Sequence, residues 1–201
     1  MRRLTIGVLM GGTSGEREVS LRTGRAVAAA LEEAGHAVSR IDLGAGPGAL
    51  LTLAYAQMDV AFVALHGRLG EDGCVQGMLE VLGVPYTGSD VLASALAMDK
   101  LKAKELFRLH NVPTPPYYEI TRADAAGDLA ELHGSFGYPT VVKPRREGSS
   151  IGLAKADDLG SLRAAVATAL EQDDSVLVER FVRGREVSVA LLDDRILGAI
   201  E

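Results

Sequence analysis

Cysteine is almost absent. Cys74 stands alone, so no internal disulfide can hold the chain, and a reducing compartment fits. Basic charge is not in excess either. The net charge is −6 at pH 7, which argues against a broad nucleic-acid surface. No apolar run approaches the roughly 18 residues of a membrane span. Arg2 and Arg3 precede an apolar run, but that run is short and holds Gly7, so it reads as a strand rather than a secretory signal. Internal repeats and low-complexity tails are missing as well. These absences leave a cytoplasmic protein with neither nucleic acid nor membrane as partner. What is present is ordinary globular material: 201 residues, 47% hydrophobic and 24% charged, enough for one or two domains with a real core.

The first half alternates strand and helix. Leu4, Ile6, Val8 and Met10 alternate, and Leu9 adds apolar weight, which predicts a buried strand. A helix is expected from about Ser14, with Val27, Ala30, Leu31 and Ala34 on one face and Gly35 at a left-handed end. "HAVSRID" reads as a second strand and "GAGPG" as a turn-rich connection. "DVAFVALHG" is apolar on both faces, as a parallel sheet covered by helices requires. Cys74, Val75, Met78, Leu79 and Leu82 mark a helix face ending at Gly83, and "VPYTG" is a short extended piece. The alternation predicts an α/β fold with an open parallel sheet.

The pattern then changes. Asp99 can cap a helix running to about His110, with Asn111 as its stop. "VPTPPYY" cannot be helical, because each proline pushes its predecessor into extended form. A domain junction is therefore expected between Met98 and Tyr118. "PTVVKP" is a strand, "RREGSSIG" a glycine–serine loop, and "GLAKA" the returning strand. "DDLGSLRAAVATALEQ" is a helix opened by acidic residues, favourable at its positive end. "SVLVERF" is another strand, and "EVSVALLDDRILGAIE" a hairpin turning at Asp193–Asp194. "RILGAIE" breaks off inside an apparent strand, so a piece of a longer polypeptide is expected.

Several places could carry chemistry. In the glycine–serine loop, Gly148, Ser149, Ser150 and Gly152 would let backbone N–H groups approach an anion. A flexible surface hairpin is the alternative. Lys143 ends an apolar strand and Lys100 opens a helix; each suits a phosphate as a point charge, or snorkels at the surface. Glu179 and Glu186 lie at strand ends, where a carboxylate can accept from ribose hydroxyls. On the residues alone they read better as surface partners of Arg180, Arg183 or Arg185. "HGRLGEDG" lies at a carboxyl end of the sheet, where such sheets place ligands. His66 and Asp72 are not spaced as a metal box, and Cys74 lacks a partner, so zinc is not expected. The loop could equally be a capped turn in which Asp72 starts the next helix. Glu16 and Glu18 occupy the first strand–helix turn. They suit helix capping, or a site for an ammonium group. "GGTSGE" is not G-x-G-x-x-G, and Glu16 would repel a phosphate, which excludes a dinucleotide site.

Five segments carry a resemblance. "GGTSGEREVSLRTG", "HGRLGEDGCVQGMLEVLGVPYTGS", "VLASALAMDK", "VVKPRREGSSIG" and "VERFVRGREVSVALL" together resemble the D-alanine–D-alanine ligases of the ATP-grasp superfamily. The match covers nearly the whole chain in order. It implies a Rossmann-like, pre-ATP-grasp substrate domain at 1–97. It also implies an ATP-grasp α+β lid subdomain at 98–182 and the start of a second ATP-grasp half at 183–201. It implies ATP-driven joining of two D-alanines through an acyl phosphate, for peptidoglycan. Lys100 and Lys143 would contact phosphates, and Ser150 and its loop would close over them. Glu179, Arg180 and Val182 would lie at the adenine and Glu186 at the ribose. Glu16 would hold the first D-alanine's ammonium with Ser149 bonded to it, and Val19 and His66 would lie near the same substrate. A homodimer through the N-terminal domain is also implied.

The resemblance has departures. Arg180 replaces a frequent lysine, Asp90 a frequent glycine, and Arg145 a small or polar residue, which would add positive charge beside the loop. The family continues for about another hundred residues, a domain-sized piece. That piece would carry the Mg2+ or Mn2+ ligands, so this chain alone is expected to be inactive, with no metal site of its own. The alternatives are a D-alanine–D-lactate ligase and a catalytically silent binding fragment.

Overall fold

The computed structural model describes residues 2–44, 46–133, 135 and 137–201. It begins with β1 (Thr5–Gly11), α1 (Arg17–Glu33), β2 (Ala37–Leu43), α2 (Pro47–Tyr55), β3 (Val60–Val63) and α3 (Cys74–Val81). The three strands pair in parallel in the order β2-β1-β3. β1 is central and apolar on both sides. Val8 packs with Leu21 and Ala28 of α1, while Leu9 packs with Leu53 of α2 and Leu79 of α3. Burial on two faces is what makes the strand a continuous apolar run. Beyond β3, Tyr86 of "VPYTG" forms one parallel bridge with Ala61.

"GAGPG" is not simply a connection. Ala45 lies outside the described residues, but Pro47 opens α2 behind Gly46, whose φ is 88°. A proline is at home in a first helical turn, where its missing N–H has no partner to lose. A further helix, α4 (Val91–Met98), begins where Asp90 accepts the Ala93 N–H at 2.8 Å. Asp90, the departure from the family pattern, is thus a helix cap. Asp99 then ends α4 and caps α5 (Lys100–Leu109) by accepting the Lys102 N–H.

The chain continues through β4 (Tyr117–Thr121), α6 (Arg122–Ala125), α7 (Leu129–Leu132), β5 (Thr140–Pro144), β6 (Ala154–Ala156), α8 (Leu159–Ala169) and β7 (Ser175–Arg180). The strands form an antiparallel sheet, β4-β7-β5-β6. Its two faces differ because side chains alternate along each strand. Ile120, Val142, Val176 and Val178 pack under Leu162 and Val166 of α8. The opposite face carries Glu119, Lys143 and Glu179: the register sets Lys143 and Glu119 across from Leu177, and Tyr117 and Val141 across from Glu179. β8 (Ser188–Leu192) and β9 (Arg195–Ile200) close the chain as an exposed hairpin, turning at Asp193 with φ 50°.

Candidate functional site

The first strand–helix turn is built on left-handed glycines, Gly11 at φ 88° and Gly12 at φ 80°. Buried Ser20 ties it down, accepting from the Gly11 N–H and donating to the Ala64 carbonyl. Arg17 braces it with a bidentate pair to Asp42 at 2.7 and 2.8 Å. Glu16 sits at the start of α1 but makes no side-chain cap to it. Its carboxylate turns outward and accepts from the Ser149 hydroxyl of the β5–β6 loop, 133 residues away. The approach is close. A Cβ on Gly148 would stand 3.0 Å from Glu16 Oε2, and one on Gly67 3.3 Å from it. Ser149 and Ser150 both adopt left-handed backbone, at φ 45° and 61°. Val19, on the first turn of α1, is exposed.

The loop after β3 borders the same place. The Ser14 hydroxyl donates to the His66 carbonyl at 2.8 Å. His66 Nδ1 faces Glu71 at 3.4 Å, and Glu71 also accepts the Gly67 N–H at 2.7 Å. His66 Nε2 is buried without a hydrogen-bond partner among the described residues. Asp72 does not start α3; Gly73 does, at φ 88°. Asp72 instead accepts from the N–H groups of Leu69 and Cys74 and pairs with Arg68 at 2.5 Å. Burial works to raise its pKa, but these donors bring it below the usual carboxylate value. A cavity of about 530 Å³ lies between this loop, α4 and the β5–β6 loop, with His66, Glu71, Gln76, Lys100 and Gly148 in its lining.

The open face of the antiparallel sheet holds a second charged group. Glu179 Oε1 lies 2.8 Å from Lys143 Nζ and 3.3 Å from Lys104 Nζ. This corrects the expectation that Glu179 pairs with a neighbouring arginine at the surface. Alternation turns Glu179 inward, 7% exposed, and sends Arg180 to solvent. Lys104 was not anticipated. Its one sequence signal is that it lies one helical turn after Lys100 on the same face. It is 6% exposed, donates to the Thr114 hydroxyl at 2.6 Å, and sits 4.9 Å from the Tyr117 ring centre. Burial pushes its pKa down, against the opposing pull of Glu179. Arg180, Val182 and Glu186 are exposed, and no hydrogen bond or ion pair joins them to this cluster among the described residues.

Lys100 and Arg145 connect the two places. Lys100 Nζ donates to the Glu147 carbonyl and lies 3.5 Å from that of Arg145. Burial lowers its pKa, and the nearby Lys143 adds to the effect. Arg145 does not add free positive charge beside the loop. It makes a bidentate pair with Asp99 at 2.6 and 2.7 Å and a third bond to Glu119 at 2.9 Å. The Asp99 hydrogen bonds raise the already high Arg145 pKa. The base of the loop is therefore pinned to the start of α5, while Gly148–Gly152 reaches over to Glu16.

The arrangement offers two kinds of recognition. Lysines and a glycine–serine loop suit an anion, and the Glu16 carboxylate suits a cation. Among the described residues no group of three or more His, Cys, Asp or Glu is placed to hold a metal ion. No helix among them is long and apolar enough to cross a membrane.

A parallel α/β layer followed by an antiparallel sheet is shared with similar solved structures of the ATP-grasp family. A family model described as "D-ala D-ala ligase C-terminus" matches residues 106–201, and one described as "D-ala D-ala ligase N-terminus" matches residues 48–89. The chain belongs to the D-alanine–D-alanine ligase family. A D-alanine–D-alanine ligase of Geobacter sulfurreducens is 49% identical over 201 residues, all of this chain and 62% of that protein. The crystal structure of a D-alanine–D-alanine ligase from Bacillus anthracis matches with a TM-score of 0.86 at 38% identity, over 98% of this chain and 63% of that one. The same organism's ligase complexed with ATP matches with a TM-score of 0.83 at 34% identity, over 98% and 65%. The chain thus spans somewhat less than two thirds of each of these three relatives.

Proposed function

We propose that this chain carries the D-alanine- and nucleotide-binding parts of an ATP-dependent D-alanine–D-alanine ligase, serving peptidoglycan synthesis. The observation that carries the reading is the contact between Glu16 and Ser149. It places a carboxylate suited to a substrate ammonium directly against a loop suited to phosphate. In the reaction the γ-phosphoryl group of ATP passes to the carboxylate of a first D-alanine. The amine of a second D-alanine then attacks the acyl phosphate, and phosphate leaves as the peptide bond forms. Glu16 holds the first ammonium, with Val19 and His66 beside it. Lys100, Lys143 and the loop around Ser150 neutralise the phosphates. Glu179, Arg180, Val182 and Glu186 border the adenosine. Most of the acceleration in such a step is positioning and charge neutralisation. The reading also implies Mg2+ or Mn2+, which would neutralise phosphate charge; among the described residues no group of three or more His, Cys, Asp or Glu is placed to hold it. On this reading residues 1–97 bind substrate, 98–182 form the sheet and loop, and 183–201 begin a second half. Two such chains would meet through their N-terminal domains.

Calorimetric titration of this chain with D-alanine and with ATP tests the reading. Glu16→Gln should weaken D-alanine and spare ATP, and Lys143→Ala should do the reverse. Loss of a charged partner in a desolvated site is worth about 2–5 kcal/mol, a difference easily measured. Wild-type ATP affinity in Lys143→Ala would remove the lysine assignment.

A further inference from the structure

Three charged groups on the sheet face share one atom. Glu179 Oε1 serves both Lys143 and Lys104, at 2.8 and 3.3 Å. The two lysines are held differently. The Lys104 side chain is 7% exposed and has two further anchors, the Thr114 hydroxyl and the Tyr117 ring. Lys143 is 23% exposed, and its ion pair among the described residues is with Glu179. One cation is fixed and the other can leave. If Lys143 left with no other cation nearby, the buried Glu179 carboxylate would be stranded, which is strongly unfavourable.

We propose that Lys104 is a positioning residue: by keeping Glu179 paired, it frees Lys143 to swing from that carboxylate to a nucleotide phosphate. The inference rests on the reading above that Lys143 meets the phosphates. Without Lys104, Glu179 holds Lys143 more tightly, and nucleotide must compete with a stronger ion pair. With it, the cluster has one positive charge more than it needs, and that excess faces the loop.

The test combines two readouts on Lys104→Met, Lys104→Arg and Lys143→Ala forms of this chain. One is ATP affinity by calorimetry. The other is the acylation rate of each lysine with a water-soluble amine reagent, mapped by mass spectrometry. Lys104→Met should weaken ATP by about tenfold, within the range of coupling between contacting charges. It should also slow acylation of Lys143 while leaving Lys155, an exposed lysine paired with Asp157, at its wild-type rate. Lys104→Arg should restore both. A role in structure alone would instead speed acylation generally as the sheet loosens. If Lys104→Met does not fold, Lys104→Gln carries the same test, because its amide can still meet Thr114. If Lys143→Ala weakens ATP but the Lys104 variants keep wild-type affinity and Lys143 reactivity, the inference is overturned and the function stands. If Lys143→Ala leaves ATP affinity unchanged, the lysine assignment falls and the inference falls with it.

Discussion

Glu16 meets Ser149 between two loops, one of them well exposed, whereas Glu179 meets Lys143 and Lys104 within the face of a sheet. The first contact is a single hydrogen bond that water can replace. The second is a desolvated charge cluster, in which removing Glu179 leaves both lysines without their counter-charge. The difference assigns mechanical roles. On the proposed function the loop tip is the part that would open and close over nucleotide. The sheet is the more buried part, and the Asp99–Arg145–Glu119 network joins it to the loop by anchoring the loop's base to the start of α5.

The largest expected effect tests the buried side. Glu179→Ala leaves two ammonium groups, one of them 6% exposed, without their carboxylate. The chain should lose about 3 kcal/mol or more of stability, read from the midpoint of a urea transition. A loss below about 1 kcal/mol would mean that water reaches the cluster freely. Arg145→Ala should cost less, about 2 kcal/mol, because Asp99 keeps its place as a helix cap. Its signature is pH dependence. Burial works to raise the Asp99 pKa, but the Arg145 hydrogen bonds and the Lys102 N–H hold it below the usual value. A carboxylate depressed in the fold contributes stability that is present above its unfolded pKa of about 4 and lost as pH falls through the folded one. Wild type and Arg145→Ala should therefore converge in stability below about pH 4; a constant gap down to acid would show that Asp99 is not the partner that matters. The smallest effect tests the exposed side. Ser149→Ala should change stability by no more than about 0.5 kcal/mol, and a larger loss would place the loop tip within the folded core.

Much of the first layer was legible. A strand with apolar residues at 4, 6, 8, 9 and 10 could only be buried on two faces, and at the far end of the chain Asp193–Asp194 marked the turn between β8 and β9. α2 was missed because "GAGPG" reads as turn, although Pro47 is a helix opener. α4 was missed because Asp90 stood out as a departure rather than as a cap. β4 hid behind the prolines that precede it. The sheet cluster was the least legible part of the site. Which residue faces Glu179 depends on the register of three strands, and one residue of slip would turn every side chain to the other face. Sequence distance therefore pointed to Arg180 and Arg183, while the fold brings Lys104 and Lys143.

The central claim is that nucleotide binds on the open face of the antiparallel sheet and draws the loop down over it. Amide hydrogen exchange with and without excess ATP reads this directly. The account predicts slowed exchange at residues 148–152 with the exposed hairpin at 188–200 unchanged. Equal exchange at 148–152 in both conditions would contradict it.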